Sequence, residues 1–404
     1  MRCWKRHHRS VNPKNSSPFS TRRQFLARSS GAIAASTAAG AVLAPGRAHA
    51  AAPVATIHET KIISWQPEYY HGWSTVCRRK NGELILTWSG RREAHVCPFG
   101  TVEMMRSRDG GKSWTFPRTL LDSAIDDRDS GCLETAKGSL IVTTFSSLAY
   151  DDYYLKKGTH ADDPRWMAAH QRLPSDEARK AELGEWALRS TDGGVSWSER
   201  IHTIANSPHG PIQLSDGRLL YPGKELWTEG KRIGVAVSEN DGQSWSWLAD
   251  IPTREGDNAE TGYHELHGVE CASGKLLVQI RNHNAANKGE TLQTESTDGG
   301  KTWSVPHPIG VWGLPSHLLK LSDGRLLMSY GHRRKPFGNQ ARISEDEGAT
   351  WSEPMTISGD GVSGDLGYPS TVQLDDGSLV TVWYENLADS PRAQLRQARW
   401  TLEG

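Results

Sequence analysis

The sequence predicts an all-β protein with the fold of a six-bladed β-propeller, because two short patterns recur along its 404 residues. The first pattern reads S-x-D-x-G-x-[S/T]-W and begins at five serines: Ser107, Ser190, Ser238, Ser296 and Ser344. The second is a glycine turn that leads into a short apolar run, and it has six glycines: Gly82, Gly138, Gly217, Gly274, Gly324 and Gly377. Strand signals that recur about every 40 to 50 residues are typical of a propeller with one four-stranded blade per repeat.

The first pattern, which we call the Asp-box turn, is explained by turn chemistry. Its Asp can accept hydrogen bonds from the amides of its own turn, its Gly supplies a positive φ, and its Trp can pack against apolar neighbours. The third copy has Asn240 at the Asp position, and asparagine can make the same contacts. We therefore interpret the five Asp-box turns as structural staples and not as catalytic groups.

The second pattern is typical of a hairpin that enters a buried strand, so six copies predict six blades. No Asp-box turn follows the hairpin at Gly377. We expect the N-terminal segment 55–65 to supply the missing outer strand of the last blade and so to cover its edge.

The first fifty residues have the composition of an export signal. They contain nine Lys or Arg and no acidic residue, and the pair Arg22 and Arg23 precedes a mildly apolar run at 31–44 and a small-residue cleavage site near Ala50. This order predicts a twin-arginine signal peptide over 1–50, a propeller over 51–404, and a periplasmic or secreted protein.

Charge argues against two classes of partner. The chain has 47 basic and 47 acidic residues, and the predicted signal peptide contains nine of the basic ones. Residues 51–404 therefore have 38 basic and 47 acidic residues, a net charge near −9. A nucleic-acid-binding protein needs a basic face, so no nucleic-acid partner is expected. No other stretch is long and apolar enough for stable membrane insertion after signal cleavage.

Neither the cysteines nor the histidines predict a metal or another cofactor. The four cysteines after the signal form no CxxC pair, and we expect them to be buried thiols: Cys77, Cys97, Cys132 and Cys271. Five histidines precede or begin predicted inner strands without the HxxxH spacing of a helical metal site: His71, His209, His264, His267 and His317.

The second blade contains an insertion. The distance from Gly138 to the Asp-box turn at Ser190 is 52 residues, against 21, 22 and 20 in blades three to five. The excess is about 148–187, and its final segment, ARKAELGEWA, has a helical composition. We expect an inserted loop with a short helix there, and long insertions of this kind are often functional.

Strand order predicts where a functional site would lie. If the hairpins join strands one and two and the Asp-box turns join strands three and four, all of these turns share one end. Residues before strand one and after strand two then converge on a pocket at the opposite end. The candidates there include an arginine cluster, which suits a carboxylate and hence an acidic sugar. The candidate binding residues are Arg91, Arg128, Arg281, Arg333, Arg334, Asp127, His209 and His317.

Two segments resemble the sialidase (neuraminidase) superfamily, whose hallmark is the Asp-box turn on a six-bladed propeller. HELHGVECASGKLLVQIR at 264–281 is similar to the family's fourth blade. The resemblance implies that Glu265 is the catalytic glutamate and Arg281 a carboxylate-binding arginine. GYPSTVQLDDGSLVTVWYE at 367–385 resembles the segment with the tyrosine nucleophile, which implies that role for Tyr368. SGRRE places Arg91 on a ligand-contacting arginine of the family.

The chain departs from the family pattern at three positions. The family's first-blade arginine aligns with Gly72. Its last arginine falls near Pro336, where Arg333 and Arg334 are close enough to substitute. Its aspartic acid/base aligns near Cys97, which leaves two candidates for that catalytic role: Glu93 and His95.

Together with the export signal, the resemblance implies an exported sialidase-like glycoside hydrolase that releases a terminal acidic sugar, sialic acid or a related one, from glycans. A phenol has a pKa near 10, so a tyrosine nucleophile needs a base such as Glu265 beside it. Two alternatives remain open. One is a polysaccharide lyase that acts on uronic-acid glycans with a His and a Tyr as base and acid. The other is a carbohydrate-binding propeller without catalysis.

Overall fold

The computed structural model describes residues 52–64 and 66–404, and in them six four-stranded antiparallel sheets form a ring. The predicted six-bladed propeller is confirmed. The predicted signal peptide over 1–50 lies outside the described residues. In the described part of the chain, no helix has the length and apolar character needed to cross a membrane.

The strands follow one another in chain order. The first is β1 (Val54–Ile62). Blade one contains β2 (Tyr70–Arg78), β3 (Leu84–Arg92), β4 (Thr101–Ser107) and β5 (Arg118–Leu121). Blade two contains β6 (Asp126–Glu134), β7 (Leu140–Ser147), β8 (Gly184–Ser190) and β9 (Ile201–His202). Blade three contains β10 (Ile212–Gln213), β11 (Leu219–Lys224), β12 (Ile233–Ser238) and β13 (Ser246–Asp250).

Blades four to six follow the same order. Blade four contains β14 (Tyr263–Glu270), β15 (Leu276–Asn282), β16 (Glu290–Ser296) and β17 (His307–Trp312). Blade five contains β18 (Ser316–Lys320), β19 (Leu326–His332), β20 (Phe337–Ser344) and β21 (Met355–Gly361). Blade six contains β22 (Leu366–Gln373), β23 (Leu379–Glu385) and β24 (Gln394–Glu403).

The N-terminal strand closes the last blade, as predicted. Strand β1 pairs antiparallel with β24 from Val54 opposite Glu403 to Ile62 opposite Arg396. The sheet order is β1-β24-β23-β22, so β1 supplies the outer strand. The first and last strands are thereby joined in one blade, and the edge of β24 is covered.

The Asp-box turns are structural, as predicted. In the first copy Ser107 Oγ donates to Asp109 Oδ1 at 2.8 Å and accepts from the amide of Gly111 at 2.8 Å. Hydrogen bonds from the hydroxyl and the amide of Ser113 lower the pKa of Asp109 to about 2. Asn240 replaces this Asp in the third copy and accepts from the amide of Ser244 at 3.0 Å. Each copy joins strands three and four of its blade.

The hydrophobic core consists of clusters between neighbouring blades. One cluster joins Leu86 of β3 to Val372 of β22 and Val382 of β23, so blades one and six share it. Burial of such apolar surface contributes roughly 25 cal/mol per Å². The four cysteines in the described part of the chain are buried and form no disulfide with one another, as predicted.

The insertion lies between β7 and β8 and contains a π-helix (Asp151–Leu155), α1 (Pro164–His170) and α2 (Asp176–Lys180). The expected end at residue 187 is wrong, because Gly184–Ser190 is strand β8. Ala187 pairs with Thr143, so pairing with β7 overrides the local helical composition there. Helix α1 was not predicted, although Asp163 caps it and Pro164 begins it.

The insertion packs on the loop after β3. Tyr150, Leu155 and Trp166 form a buried cluster with Val96 and Cys97. A third short helix, α3 (Ala259–Gly262), precedes the inner strand of blade four. Both segments lie at the end of the propeller opposite the Asp-box turns.

Candidate active site

Four inner strands begin with a β-bulge, and each bulge has one residue in the left-handed region. These residues are Trp73 in β2 (φ 55°), Asp129 in β6 (φ 52°), Glu265 in β14 (φ 48°) and Tyr368 in β22 (φ 52°). Non-glycine residues rarely adopt this conformation, which is found where the surrounding structure enforces it. All four side chains line one pocket of about 610 Å³.

The pocket brings together half of the predicted site residues. Besides Glu265 and Tyr368, four of the candidates line it: His95, Arg128, Arg281 and Arg333. Aromatic side chains complete the walls, and three of them come from blade two and its insertion: Phe145, Tyr153 and Tyr154.

A carboxylate, a phenol and a guanidinium meet at the centre of the pocket. The Tyr368 hydroxyl donates to Glu265 Oε1 at 2.5 Å. Arg281 Nη1 donates to the Tyr368 oxygen at 3.0 Å and also to Glu265 Oε2. Arg281 Nε faces His283 Nε2 at 2.8 Å. Tyr368 is buried, and the side chains of Arg281 and Glu265 are only 15% and 20% exposed, so each group restricts the orientation of the others.

Their protonation states follow from this contact. Burial alone would raise the pKa of Glu265, but the positive charge of Arg281 and its hydrogen bonds lower that pKa to about 2. Burial raises the pKa of Tyr368 well above its ordinary value, and the negative charge of Glu265 adds to this effect. At neutral pH the glutamate is therefore ionised beside a protonated phenol.

His95 is held by residues that sequence reasoning did not select. Its Nδ1 is 3.0 Å from the Tyr70 hydroxyl and 3.6 Å from Asp365 Oδ1. The Tyr384 hydroxyl also donates to Asp365, at 3.0 Å. Burial lowers the pKa of His95, although Asp365 acts in the opposite direction. His95 is therefore neutral at pH 7.

Asp129 is a pocket residue that was not among the candidates. Its carboxyl is buried, and Oδ1 has no hydrogen-bond partner in the described part of the chain. Burial raises the pKa of Asp129 to about 7, with the guanidinium of Arg128 acting in the opposite direction. Asp129 can therefore hold or release a proton near neutral pH.

Two acidic candidates do not line the pocket. Glu93 accepts from Trp166 Nε1 at 3.0 Å and pairs with Arg165, both in α1. Asp127 accepts from the hydroxyls of Ser123 at 2.9 Å and Ser146 at 3.0 Å. Both carboxylates thus serve the local structure around the pocket wall.

Two basic candidates also lie outside the pocket. Arg91 pairs with Glu103 at 3.2 Å, and its side chain is 54% exposed. The guanidinium of Arg334 lies 3.6 Å from the ring centroid of Trp312, the last residue of β17 in blade four. Its neighbour Arg333 points the other way and lies 5.7 Å from the Tyr368 ring.

His209 and His317 stand in the central channel below the pocket. With His267 they form a buried group whose ring centroids are 4.6 to 5.4 Å apart. Burial lowers the pKa of His317 to about 3, so its ring is neutral. The residues described by the structure contain no group of three or more His, Cys, Asp or Glu that is arranged to hold a metal ion.

All four bulge residues share one spacing in the sequence, which in blades three and five falls on Pro208 and Pro315 instead. Each lies nine positions before the hairpin glycine of its blade: Trp73 before Gly82, Asp129 before Gly138, Glu265 before Gly274, and Tyr368 before Gly377. Strict alternation would place Asp127 and Asp129 on the same side of β6. The bulge between Arg128 and Gly131 breaks that alternation, so only Asp129 reaches the pocket.

Comparison with known proteins agrees with this architecture. A family model described as BNR repeat-like domain matches residues 159–381, more than half of the chain. A sialidase of Bacteroides fragilis (strain YCH46) is 23% identical over 313 residues, which are 70% of this chain and 54% of that relative. A sialidase of Micromonospora viridifaciens is 25% identical over 345 residues, 81% of this chain and 44% of the relative. The chain thus spans about half the length of these relatives.

A solved structure of a protein of unknown function from Dyadobacter fermentans DSM 18053 has the same fold. It has a TM-score of 0.70 and 22% identity, and the match covers 86% of this chain and 99% of that one. The Asp-box turns, the six blades and the family match agree. The chain therefore belongs to the BNR-repeat propellers of the sialidase superfamily.

Proposed function

We propose that the protein is a sialidase-type glycoside hydrolase in which Tyr368 is the nucleophile and Glu265 is its base. The observation that carries this proposal is the hydrogen bond of 2.5 Å from the Tyr368 hydroxyl to Glu265, with Arg281 bound to both. The two relatives named sialidase support the same class of reaction.

The reaction would proceed in two steps. The Tyr368 oxygen attacks the anomeric carbon, its proton passes to Glu265, and the bond to the leaving-group oxygen breaks. Because the phenol binds its proton far more tightly than Glu265 does, proton transfer occurs only as the new carbon–oxygen bond forms. In the second step water attacks the anomeric carbon of the glycosyl–enzyme intermediate and gives a proton to the carboxylate that protonated the leaving group, while the bond to the Tyr368 oxygen breaks and the phenol regains its proton from Glu265.

We assign Asp129 as the proton donor to the leaving group. A general acid works best when its pKa lies near the working pH, and burial raises the pKa of Asp129 to about 7. Its free Oδ1 lies in the same pocket as Tyr368. His95 is the competing candidate, and its lowered pKa would place the loss of activity at a lower pH.

The sugar would be acidic, as sialic acid is. Arg281 uses Nη1 for Glu265 and Tyr368 and Nε for His283, so its Nη2 could still donate to a substrate carboxylate, together with the guanidinium groups of Arg128 and Arg333. Both line the pocket, and Arg128 Nε has no partner among the described residues. Arginine favours carboxylates because it donates two parallel hydrogen bonds.

A lyase remains the second candidate, because a neutral His95 oriented by Asp365 could remove a proton beside a uronic carboxylate. Its product would be an unsaturated uronate, which absorbs ultraviolet light. Release of such a product without hydrolysis of any sialoside would replace the first proposal with this one.

Hydrolysis of an aryl sialoside by purified protein tests the proposal. Tyr368→Phe and Glu265→Gln are expected to lower kcat by at least about 100-fold, because each removes a reacting group. Tyr330→Phe is the matched control, since Tyr330 is equally buried and donates to Gln340 at 2.9 Å in blade five. Full activity in both pocket variants would contradict the assigned roles.

We also propose that the protein is exported, on the evidence of the first fifty residues. The substrate would then be an extracellular or periplasmic glycan.

A further inference from the structure

The aromatic residues beside the pocket continue beyond it. Phe145 at the end of β7 and Tyr153 of the π-helix line the pocket, and Trp227 follows β11 in the next blade. We propose that these three residues, the aromatic shelf, bind the neutral sugar ring of the leaving group. The proposal rests on the proposed function, because the shelf would hold the sugar on the leaving-group side of the glycosidic bond that the protein cleaves.

The shelf is continuous with the floor of the pocket. The rings of Phe145 and Trp227 have centroids 6.4 Å apart and are tilted by 44°. The Arg128 guanidinium lies 5.8 Å from the Phe145 ring and 4.6 Å from the Trp73 ring. A glycan whose terminal sugar occupies the pocket would therefore pass over Phe145 and reach Trp227 with its next ring.

Two members of the shelf are unusually exposed. Trp227 is 42% exposed and Tyr153 is 59% exposed, although both are large aromatic residues. Exposed aromatic surface that clusters beside a cleft marks a binding site more often than a random surface feature. A pyranose ring presents C–H groups on its faces, and aromatic faces bind such groups by burial of apolar area.

The loop that carries Trp227 is anchored to blade two. The amide of Leu226 donates to Glu185 Oε1 at 2.6 Å, which holds the backbone just before Trp227. In the same loop, Thr228 Oγ1 donates to Glu225 Oε2 at 3.2 Å, which joins the side chains on either side of Trp227. An anchored loop loses less conformational entropy on binding than a free one.

A second cavity, of about 350 Å³, adjoins the shelf and indicates what kind of sugar fits. Trp227 lines it together with residues of the insertion, and the π-helix separates it from the pocket. Its basic groups are largely paired with its acids, Lys156 with Asp151 at 3.0 Å and Arg179 with Asp176 at 2.5 Å. The charges compensate one another, so the cavity favours a neutral sugar, in contrast to the arginine-lined pocket.

The test compares two substrates with the same terminal sugar, 3′-sialyllactose and methyl sialoside. Trp227→Ala is expected to lower kcat/KM for 3′-sialyllactose about tenfold relative to kcat/KM for methyl sialoside, mainly by raising KM for 3′-sialyllactose. Trp227→Phe should restore most of the ratio. Phe116→Ala is the control, since Phe116 is 93% exposed and lies beside the first Asp-box turn at the other end. An unchanged ratio in Trp227→Ala would overturn the proposal.

Binding separates this proposal from the proposed function. If neither sialoside is hydrolysed, the proposed function fails, and an array of neutral and acidic oligosaccharides still tests the shelf. Glycans that bind the full chain and Phe116→Ala but not Trp227→Ala would support the shelf. Identical binding by both variants, or no binding of any oligosaccharide, would refute it.

Discussion

Replacing Asp129 with asparagine removes a pocket carboxyl that holds a proton near neutral pH. A general acid contributes about 100- to 10,000-fold to the rate, and the contribution is largest when the leaving group is a poor one. We expect Asp129→Asn to lower kcat/KM for sialyllactose by at least about 100-fold, and much less for an aryl sialoside, whose phenolate leaves without a proton. The measurement is the pH dependence of kcat/KM for both substrates.

The pH profile follows from the raised pKa. Asp129 is protonated below about pH 7 in the folded protein, so the wild-type rate with sialyllactose should fall above that pH. The Asp129→Asn variant should lack this basic limb. If the limb persists in the variant, or if it lies well below pH 6.5 in the wild type, His95 is the donor instead.

The pH dependence of the free energy of unfolding measures the raised pKa of Asp129 independently of activity. A carboxyl whose pKa is about 7 when folded and 3.8 when unfolded stabilises the fold below pH 3.8, and this contribution is lost as the pH rises to 7. At about 1.4 kcal/mol per tenfold change in proton affinity, the free energy of unfolding would fall by roughly 4 kcal/mol across this range. Asp129→Asn should remove that part of the slope.

Asp127 provides the matched control two residues away. Burial raises its pKa to about 7 as well, but its oxygens bind Ser123 and Ser146 outside the pocket. Asp127→Asn should therefore flatten the stability profile by a similar amount and leave the basic limb of the activity in place. Loss of that limb in both variants would refute the distinction between the two residues.

Arg333→Lys should raise KM for the acidic substrate about tenfold in steady-state assays, because Arg333 lies beside Tyr368 in the pocket. Arg334→Lys should leave KM unchanged, because the Arg334 side chain stacks on Trp312 outside the pocket. Equal effects of the two substitutions would contradict the different roles of these arginines. Gly131→Ala should lower the free energy of unfolding in urea by about 1–3 kcal/mol, because the new Cβ would lie 2.4 Å from the backbone of Gly210. Gly359→Ala is the control and should be nearly neutral, since the nearest atom to its Cβ would be 3.7 Å away. Exported protein should begin near Ala50 by N-terminal sequencing, and replacement of Arg22 and Arg23 by lysine should leave the precursor uncleaved.

The fold could be predicted because its signals are local. An Asp-box turn contains its own donors and acceptors, as Ser107, Asp109 and Gly111 show, so the sequence of eight residues is sufficient to specify it. The number of hairpin glycines, six, then gives the number of blades. The end of the insertion could not be predicted in this way, because residues 184–187 become a strand only by pairing with β7.

The site was only partly predictable, because it depends on strain that distant packing enforces. A positive φ at Asp129 is unfavourable locally, and alternation along β6 pointed equally to Asp127. Glu265 and Tyr368 were found through family resemblance rather than through the bulges that place them. The spacing of nine residues before the hairpin glycine is common to all four bulge residues, but in blades three and five it falls on Pro208 and Pro315, so the spacing alone does not specify a bulge.

Trapping the glycosyl–enzyme intermediate would identify the nucleophile. A fluorinated sialosyl fluoride slows the hydrolysis of the intermediate, and mass spectrometry of the digested protein then locates the added sugar. We expect one sugar, on the peptide that contains Tyr368, and none in Tyr368→Phe. A sugar on Glu265 or on any other residue would contradict it, as would rapid turnover of the reagent by Tyr368→Phe.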